Sequence, residues 1–95
     1  MAEECFFLVV YDITSDKRRS KTHKMLLGYG TPVQYSVFEC LLSQTSLTEL
    51  SKRLQKIIKP TMDHVRIYQI CRSCQKKIAI YGRSEVTKDV SVLVV

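Results

Sequence analysis

Apolar positions along this chain change period several times, and each change marks a different element. Residues 5–11, CFFLVVY, are an unbroken apolar run of β-branched and aromatic side chains, which predicts a central strand ending at Asp12. Thr14, Ser15 and Asp16 then offer the side-chain oxygens that cap helix N-termini, and a helix is expected from about Lys17 to Leu27. Gly28 and Gly30 end it, and Pro32 prevents its resumption. The stretch 33–42, VQYSVFECLL, reads as extended, and its pattern fits one bent strand or two short ones equally. Ser46 and Glu49 have the spacing of a capping box ahead of Leu47, Leu50, Leu54, Ile57 and Ile58, which share one helical face; Pro60 stops that helix.

Beyond Pro60 the pattern becomes strand-like again. HVRIYQIC at 64–71 and KKIAIY at 76–81, separated by a turn through Arg72–Gln75 and closed by Gly82, predict an antiparallel hairpin. VSVLVV at 90–95 is a last short strand after the polar stretch 83–89. This order predicts an α+β domain, a ferredoxin-like β-α-β-β-α-β sandwich over residues 1–82 with two helices on one face of a mostly antiparallel sheet. Residues 83–95 form a linker and a C-terminal strand. That strand is apolar at every position but Ser91, so it is expected to be covered by a partner chain rather than left as an open edge.

Composition narrows the function classes. With 45% hydrophobic and 25% charged residues, the 95-residue chain is neither disordered nor fibrous and has room for one core. Fifteen Lys and Arg against nine Asp and Glu leave a net charge of +6, which favours a polyanionic partner. No run approaches the length of a membrane span, and MAEECFF carries acids where a secretory leader carries basic residues. The chain is therefore expected to be cytoplasmic, with Cys5, Cys40, Cys71 and Cys74 reduced and no membrane partner.

Two constellations offer chemistry. Asp12 at the end of an apolar strand places a carboxylate at the sheet rim, where it either opens a turn or holds a hard cation such as Mg²⁺. Lys17, Arg18, Arg19, Lys21 and Lys24 follow it, and cations in a first helical turn oppose the helix dipole, so stability alone does not select them. Helical spacing puts Lys17, Lys21 and Lys24 on one exposed stripe and turns Arg18 and Arg19 toward the Asp12 rim. That combination suits a phosphate; the competing reading is a solvated face with Arg19 paired to Asp12 or Asp16. Arg72, Lys76, Lys77 and Arg83 extend the set of candidate phosphate contacts. Cys71-Arg72-Ser73-Cys74 is half of a zinc site without its second pair, and is read as a turn carrying two thiols. No phosphate-loop, dinucleotide or nucleophile-elbow motif occurs, and the aromatics Phe6, Phe7, Tyr35, Phe38, Tyr68 and Tyr81 read as core or sheet surface.

Taken together, FFLVVYDITSDKRRSK, GYGTPVQYSVFEC and VRIYQICRSC…KIAIYG resemble the second CRISPR-associated protein family over about residues 5–82. The resemblance implies a ferredoxin-like protomer, a homodimer, and a C-terminal strand pairing outside its own protomer. It implies that Asp12 is the catalytic and metal-binding carboxylate, with Mg²⁺ or Mn²⁺ held near the dimer axis in members with nuclease activity. Arg18, Arg19 and Lys21 fall where the family binds nucleic-acid backbone, and Tyr11, Ser36 and Phe38 fall at its cleft. One departure stands out: Thr31, Pro32 and Val33 occupy the place where some members carry an arginine, which bears on hydrolysis rather than on binding. The implied function is spacer acquisition, as an adaptor that binds duplex DNA and bridges integrase subunits, with a metal-dependent endonuclease activity on RNA or DNA. The alternatives are a free-standing Mg²⁺-dependent endoribonuclease and a non-catalytic RNA-binding ferredoxin-like module, with single-stranded RNA as a second candidate partner beside duplex DNA.

Overall fold

The computed structural model describes residues 3–82 and the backbone of residues 93 and 94. Strand β1, Cys5–Asp12, lies in the middle of a four-stranded sheet because both of its edges are paired. It runs antiparallel to β3 (Val37–Leu42) on one side and to β4 (His64–Ile70) on the other, while β2 (Gly30–Gln34) completes the order β2-β3-β1-β4. Helices α1 (Asp16–Leu26) and α2 (Gln44–Ile57) make the two crossovers, which is the ferredoxin-like arrangement expected. Residues 33–42 are two strands, not one: the chain reverses at Tyr35 and Ser36, with Ser36 at φ 64.

The register fixes which side chains share a face. Phe7, Val9 and Tyr11 of β1 lie level with Cys40 and Phe38 of β3 and with Ile67 and Val65 of β4, all on the helix-covered side. There they pack with Met25 and Leu26 of α1 and with Leu50 and Leu54 of α2, the helical face legible in the sequence. Leu26 and Leu50 are fully buried, each contributing about 1.5–3 kcal/mol of transfer free energy. The alternate positions Phe6, Leu8, Val10 and Asp12 face the other way, level with Ile70, Tyr68, Arg66 and His64. Neither α1 nor α2 covers that side.

Two local expectations change. The N-cap of α2 is Ser43, whose hydroxyl accepts from the Ser46 amide at 3.2 Å, so the helix begins almost a turn earlier than a Ser46–Glu49 capping box would place it. Glu49 instead accepts from the Tyr29 hydroxyl on α1's exit. The hairpin over 64–81 does not form either. Cys71 caps a single helical turn, α3 (Arg72–Gln75), and bonds from Lys77 to Cys74 and from Ile78 to Gln75 keep the chain coiled through residue 78. Only Ala79–Ile80 (β5) is then extended, and it pairs in parallel with Leu93–Val94 (β6) rather than antiparallel with β4. The remainder of the C-terminal strand, Arg83 and the linker lie outside the described residues. Among the described residues no helix is long and apolar enough to cross a membrane.

Candidate functional site

Asp12 and the basic residues of α1 leave the end of β1 on opposite sides. Asp12 points to the uncovered face, its side chain 77% exposed, and its Oδ2 stands 3.6 Å from His64 Nε2 on the neighbouring strand. One row further along that face, at the position level with Val10, is Arg66, whose Nη1 donates to the Tyr68 hydroxyl at 3.3 Å. His64 and Arg66 were not among the residues expected from sequence. Their signal was the alternation of β4, in which His64, Arg66 and Tyr68 share one side and Val65 and Ile67 the other.

The two arginines expected beside Asp12 are engaged elsewhere. Arg18 donates through Nε to Asp63 Oδ2 at 2.7 Å and through Nη2 to Asp63 Oδ1 at 3.0 Å. Asp63 is buried and also accepts from the Thr14 amide at 3.1 Å and the Lys59 amide at 2.9 Å. The Arg18 guanidinium, helped by those amides, holds the Asp63 carboxyl far below the usual carboxylate range against the opposing effect of burial. Arg18 therefore ties the loop after β1 to the loop before β4, with its guanidinium engaged by Asp63 rather than turned toward Asp12. Arg19 donates to the Ile13 carbonyl at 2.8 Å and pairs with Asp16, the competing role weighed for it.

Lys17, Lys21 and Lys24 remain on α1 as an exposed stripe, and none of the three forms an ion pair among the described residues. A cleft of about 320 Å³ opens beside them, lined by Tyr11, Arg19, His23, Lys24, Tyr35 and Ser36 among others. Tyr11 and Ser36 are at its wall, and Asp12 is not among its lining residues. Phe38 is fully buried beneath it, its ring edge-on to His23 at 5.2 Å between centroids. Burial raises the pKa of the Tyr11 phenol, which lies 3.4 Å from His23 Nδ1. Ser36 sits in the β2–β3 turn rather than within a strand, and its carbonyl accepts from the Tyr11 amide at 3.1 Å. Arg72, Lys76 and Lys77 are exposed at the Cys5 end of β1, roughly 23 Å along the strand from Asp12. The basic residues thus fall into two groups at opposite ends of the sheet.

Asp12 fits a hard cation on one count: its carboxylate is exposed and no arginine among the described residues pairs with it. Mg²⁺ commonly takes one or two protein carboxylates and completes its shell with water and phosphate oxygens. Among the described residues, no cluster of three His, Cys, Asp or Glu side chains forms a preassembled metal cage.

Comparison with known proteins places this geometry. The sequence profile of the family described as CRISPR associated protein Cas2 matches residues 5–78. The chain is 43% identical over 82 residues to a protein of Synechocystis sp. named CRISPR-associated endoribonuclease Cas2 3, covering 86% of this chain and 89% of that one. The crystal structure of Streptococcus pyogenes Cas2 superposes with a TM-score of 0.69 at 32% identity, over 75% of this chain and 92% of that one. A chain of a partial Cas6-RT-Cas1–Cas2 complex superposes with a TM-score of 0.67 at 29% identity, over 76% and 84% of the two chains. With its strand order, its profile match and its identity to these relatives in agreement, the chain belongs to the Cas2 family of CRISPR-associated proteins.

Proposed function

We propose that this protein is a dimeric adaptor in CRISPR spacer acquisition, binding the phosphates of duplex DNA and bridging integrase subunits in the cytoplasm. The observation that carries the binding reading is the stripe of Lys17, Lys21 and Lys24. These are three exposed cations on one helix without acidic partners among the described residues, a pattern that gives sequence-independent affinity for a phosphate backbone. The similarity to a chain assembled with Cas1 supports an integrase partner. The sheet face that neither α1 nor α2 covers, with half-buried Leu8, Val10, Val37 and Leu41, supports a second copy packing there. A symmetric pairing through that face brings two copies of Asp12 toward a shared axis.

A second reading is favoured by Asp12 itself. A carboxylate that no arginine among the described residues pairs with serves cation binding better than nucleic-acid binding, and the Synechocystis relative is named an endoribonuclease. Asp12 would hold Mg²⁺ or Mn²⁺, and the ion supplies an activated water and neutralises charge at phosphorus. Arg66, on the same face, draws the substrate backbone toward that row by its charge. His64 flanks the carboxylate across the β1–β4 pair. A stacking module for single-stranded RNA has less support: exposed Tyr35 is in the β2–β3 turn, Tyr68 on β4 and Tyr81 beyond β5, so they form no common platform.

Co-purification with a tagged integrase subunit, with and without duplex DNA, tests the adaptor. Capture is expected in both cases and stronger with DNA. The chain shortened after Arg83 is expected to lose dimerisation or capture before it loses its fold, because β6 pairs with β5 of its own chain along one edge and its other edge is proposed to take a partner strand. A shortened chain that remains dimeric and still captures the integrase would remove that strand from assembly. Failure of the full chain to bind either DNA or integrase would remove the adaptor function.

A further inference from the structure

The cysteines divide sharply by surroundings. Cys40 is buried in the core beneath the helices, where burial pushes its thiol up to about 11 and leaves it inert. Cys71 and Cys74, three residues apart on the single turn of α3, are both exposed. Cys71 Sγ accepts from the Cys74 amide at 3.4 Å and lies 3.2 Å from the Ser73 hydroxyl. The Ser73 hydroxyl and then the Cys74 thiol bring the Cys71 thiol down to about 7, and the same contact raises Cys74. The dithiol is asymmetric, with Cys71 the more acidic of the two thiols. Among the described residues no third His, Cys, Asp or Glu joins the pair, so thiolate chemistry suits it better than a four-ligand metal site.

We propose that Cys71 and Cys74 form a thiol–disulfide exchange pair that reacts with small, exposed disulfides of the glutathione class. The Cys71 thiolate attacks one sulfur of the incoming disulfide, breaking its S–S bond, forming a mixed disulfide and releasing one thiolate. Cys74 loses its proton and attacks the Cys71 sulfur, which closes the Cys71–Cys74 bridge and releases the second thiolate. The two cysteines are oxidised by two electrons, the incoming disulfide is reduced to two thiols, and the two cysteine protons end on those thiols. The bridge spans one turn at the exit of β4, immediately before the chain leaves for β5.

Native full-length protein titrated with oxidised glutathione and read by intact mass tests this. Wild type is expected to lose two hydrogens without retaining glutathione. Cys74→Ser is expected to stop at the mixed disulfide, and Cys71→Ser to do neither; serine at position 71 can still cap the turn, so its folding is preserved. Alkylation of Cys71 by iodoacetamide in Cys74→Ser is expected to run about fivefold to tenfold faster at pH 7 than in the same chain unfolded in urea. Three results would overturn the proposal: equal alkylation rates in the folded and unfolded chains, glutathione retained on wild type, or zinc that stays bound through gel filtration and protects both thiols.

Discussion

Arg18 and Asp63 are 45 residues apart in sequence and meet side-on, with Nε–Oδ2 at 2.7 Å and Nη2–Oδ1 at 3.0 Å. Because Asp63 is buried and every donor around it comes from the β1–α1 loop, α1 itself or the α2–β4 loop, this one carboxylate fixes how three segments enter the sheet. Arg18→Ala is expected to lower the melting temperature by more than any single lysine replacement on α1, since it strands a buried charge. The effect has a pH signature. The folded-state pKa of Asp63 is depressed below the ordinary 3.8, so its stabilisation is complete above that value and is lost as the pH falls toward the folded value. The difference in melting temperature between wild type and Asp63→Asn should therefore be largest near neutrality and narrow below about pH 4. A difference that stays constant into acid would show that Asp63 acts through packing instead.

If Lys17, Lys21 and Lys24 bind the backbone of a duplex, replacing all three with Ala should weaken binding equally for unrelated sequences. The log–log salt slope should fall by about 0.9 for each phosphate that is no longer neutralised. Arg18→Ala, measured at a temperature where it is folded, should leave that slope unchanged because its guanidinium is already occupied by Asp63. Filter binding across a range of salt concentrations separates the two. A reduced slope in Arg18→Ala together with an unchanged slope in the triple variant would reverse the assignment.

What the sequence disclosed and what it hid follow from the range of the interactions. Strand β1, the apolar face of α2 and the exposed lysine stripe of α1 depend on local period and were legible. The stop of α2 before Pro60 was equally so. Arg18 looked available for phosphate because its partner, Asp63, lies beyond two crossovers, and no local pattern announces a pair that only tertiary folding creates. The hairpin expected at 64–81 failed for a local reason that the pattern did not resolve: Cys71 and Gln75 favour a helical turn over a reversal, with Gln75 Nε2 donating to the Ile70 carbonyl at 3.2 Å. The place of Asp12 at the end of β1 was legible, but its surroundings were not, since the register of β4 rather than neighbouring sequence sets His64 level with it and Arg66 one row further along.

Gly30 illustrates a constraint that composition cannot show. A Cβ there would stand 2.4 Å from both Cys40 Sγ and the Glu39 carbonyl of the adjacent strand, whereas one at Gly28 would meet only the Met25 carbonyl at 3.4 Å. Gly30→Ala is expected to destabilise the protein by about 1–3 kcal/mol through overpacking of the β2–β3 pair, while Gly28→Ala should be tolerated. Urea unfolding of the two variants side by side checks this, and equal midpoints would mean that β2 shifts freely to accommodate the methyl group.

Asp12→Asn separates chemistry from binding with the smallest change of shape. If the carboxylate holds a divalent ion, the variant should lose Mg²⁺- or Mn²⁺-dependent cleavage down to the metal-free background, because an amide oxygen is a far weaker ligand for a hard cation. Binding should move the other way. The substitution removes a negative charge from an exposed site, so attraction for a polyanion should stay level or rise slightly. Stability should change little, for the Asp12 side chain is 77% exposed and His64 Nε2 stands 3.6 Å from its Oδ2, beyond hydrogen-bonding distance. Cleavage assays, filter binding and thermal melting on one preparation therefore give three independent readings. Lost cleavage with intact binding and melting assigns Asp12 to the metal. Lost binding together with a lowered melting temperature would assign it to the architecture of the strand end, and retained cleavage would exclude it from the reaction.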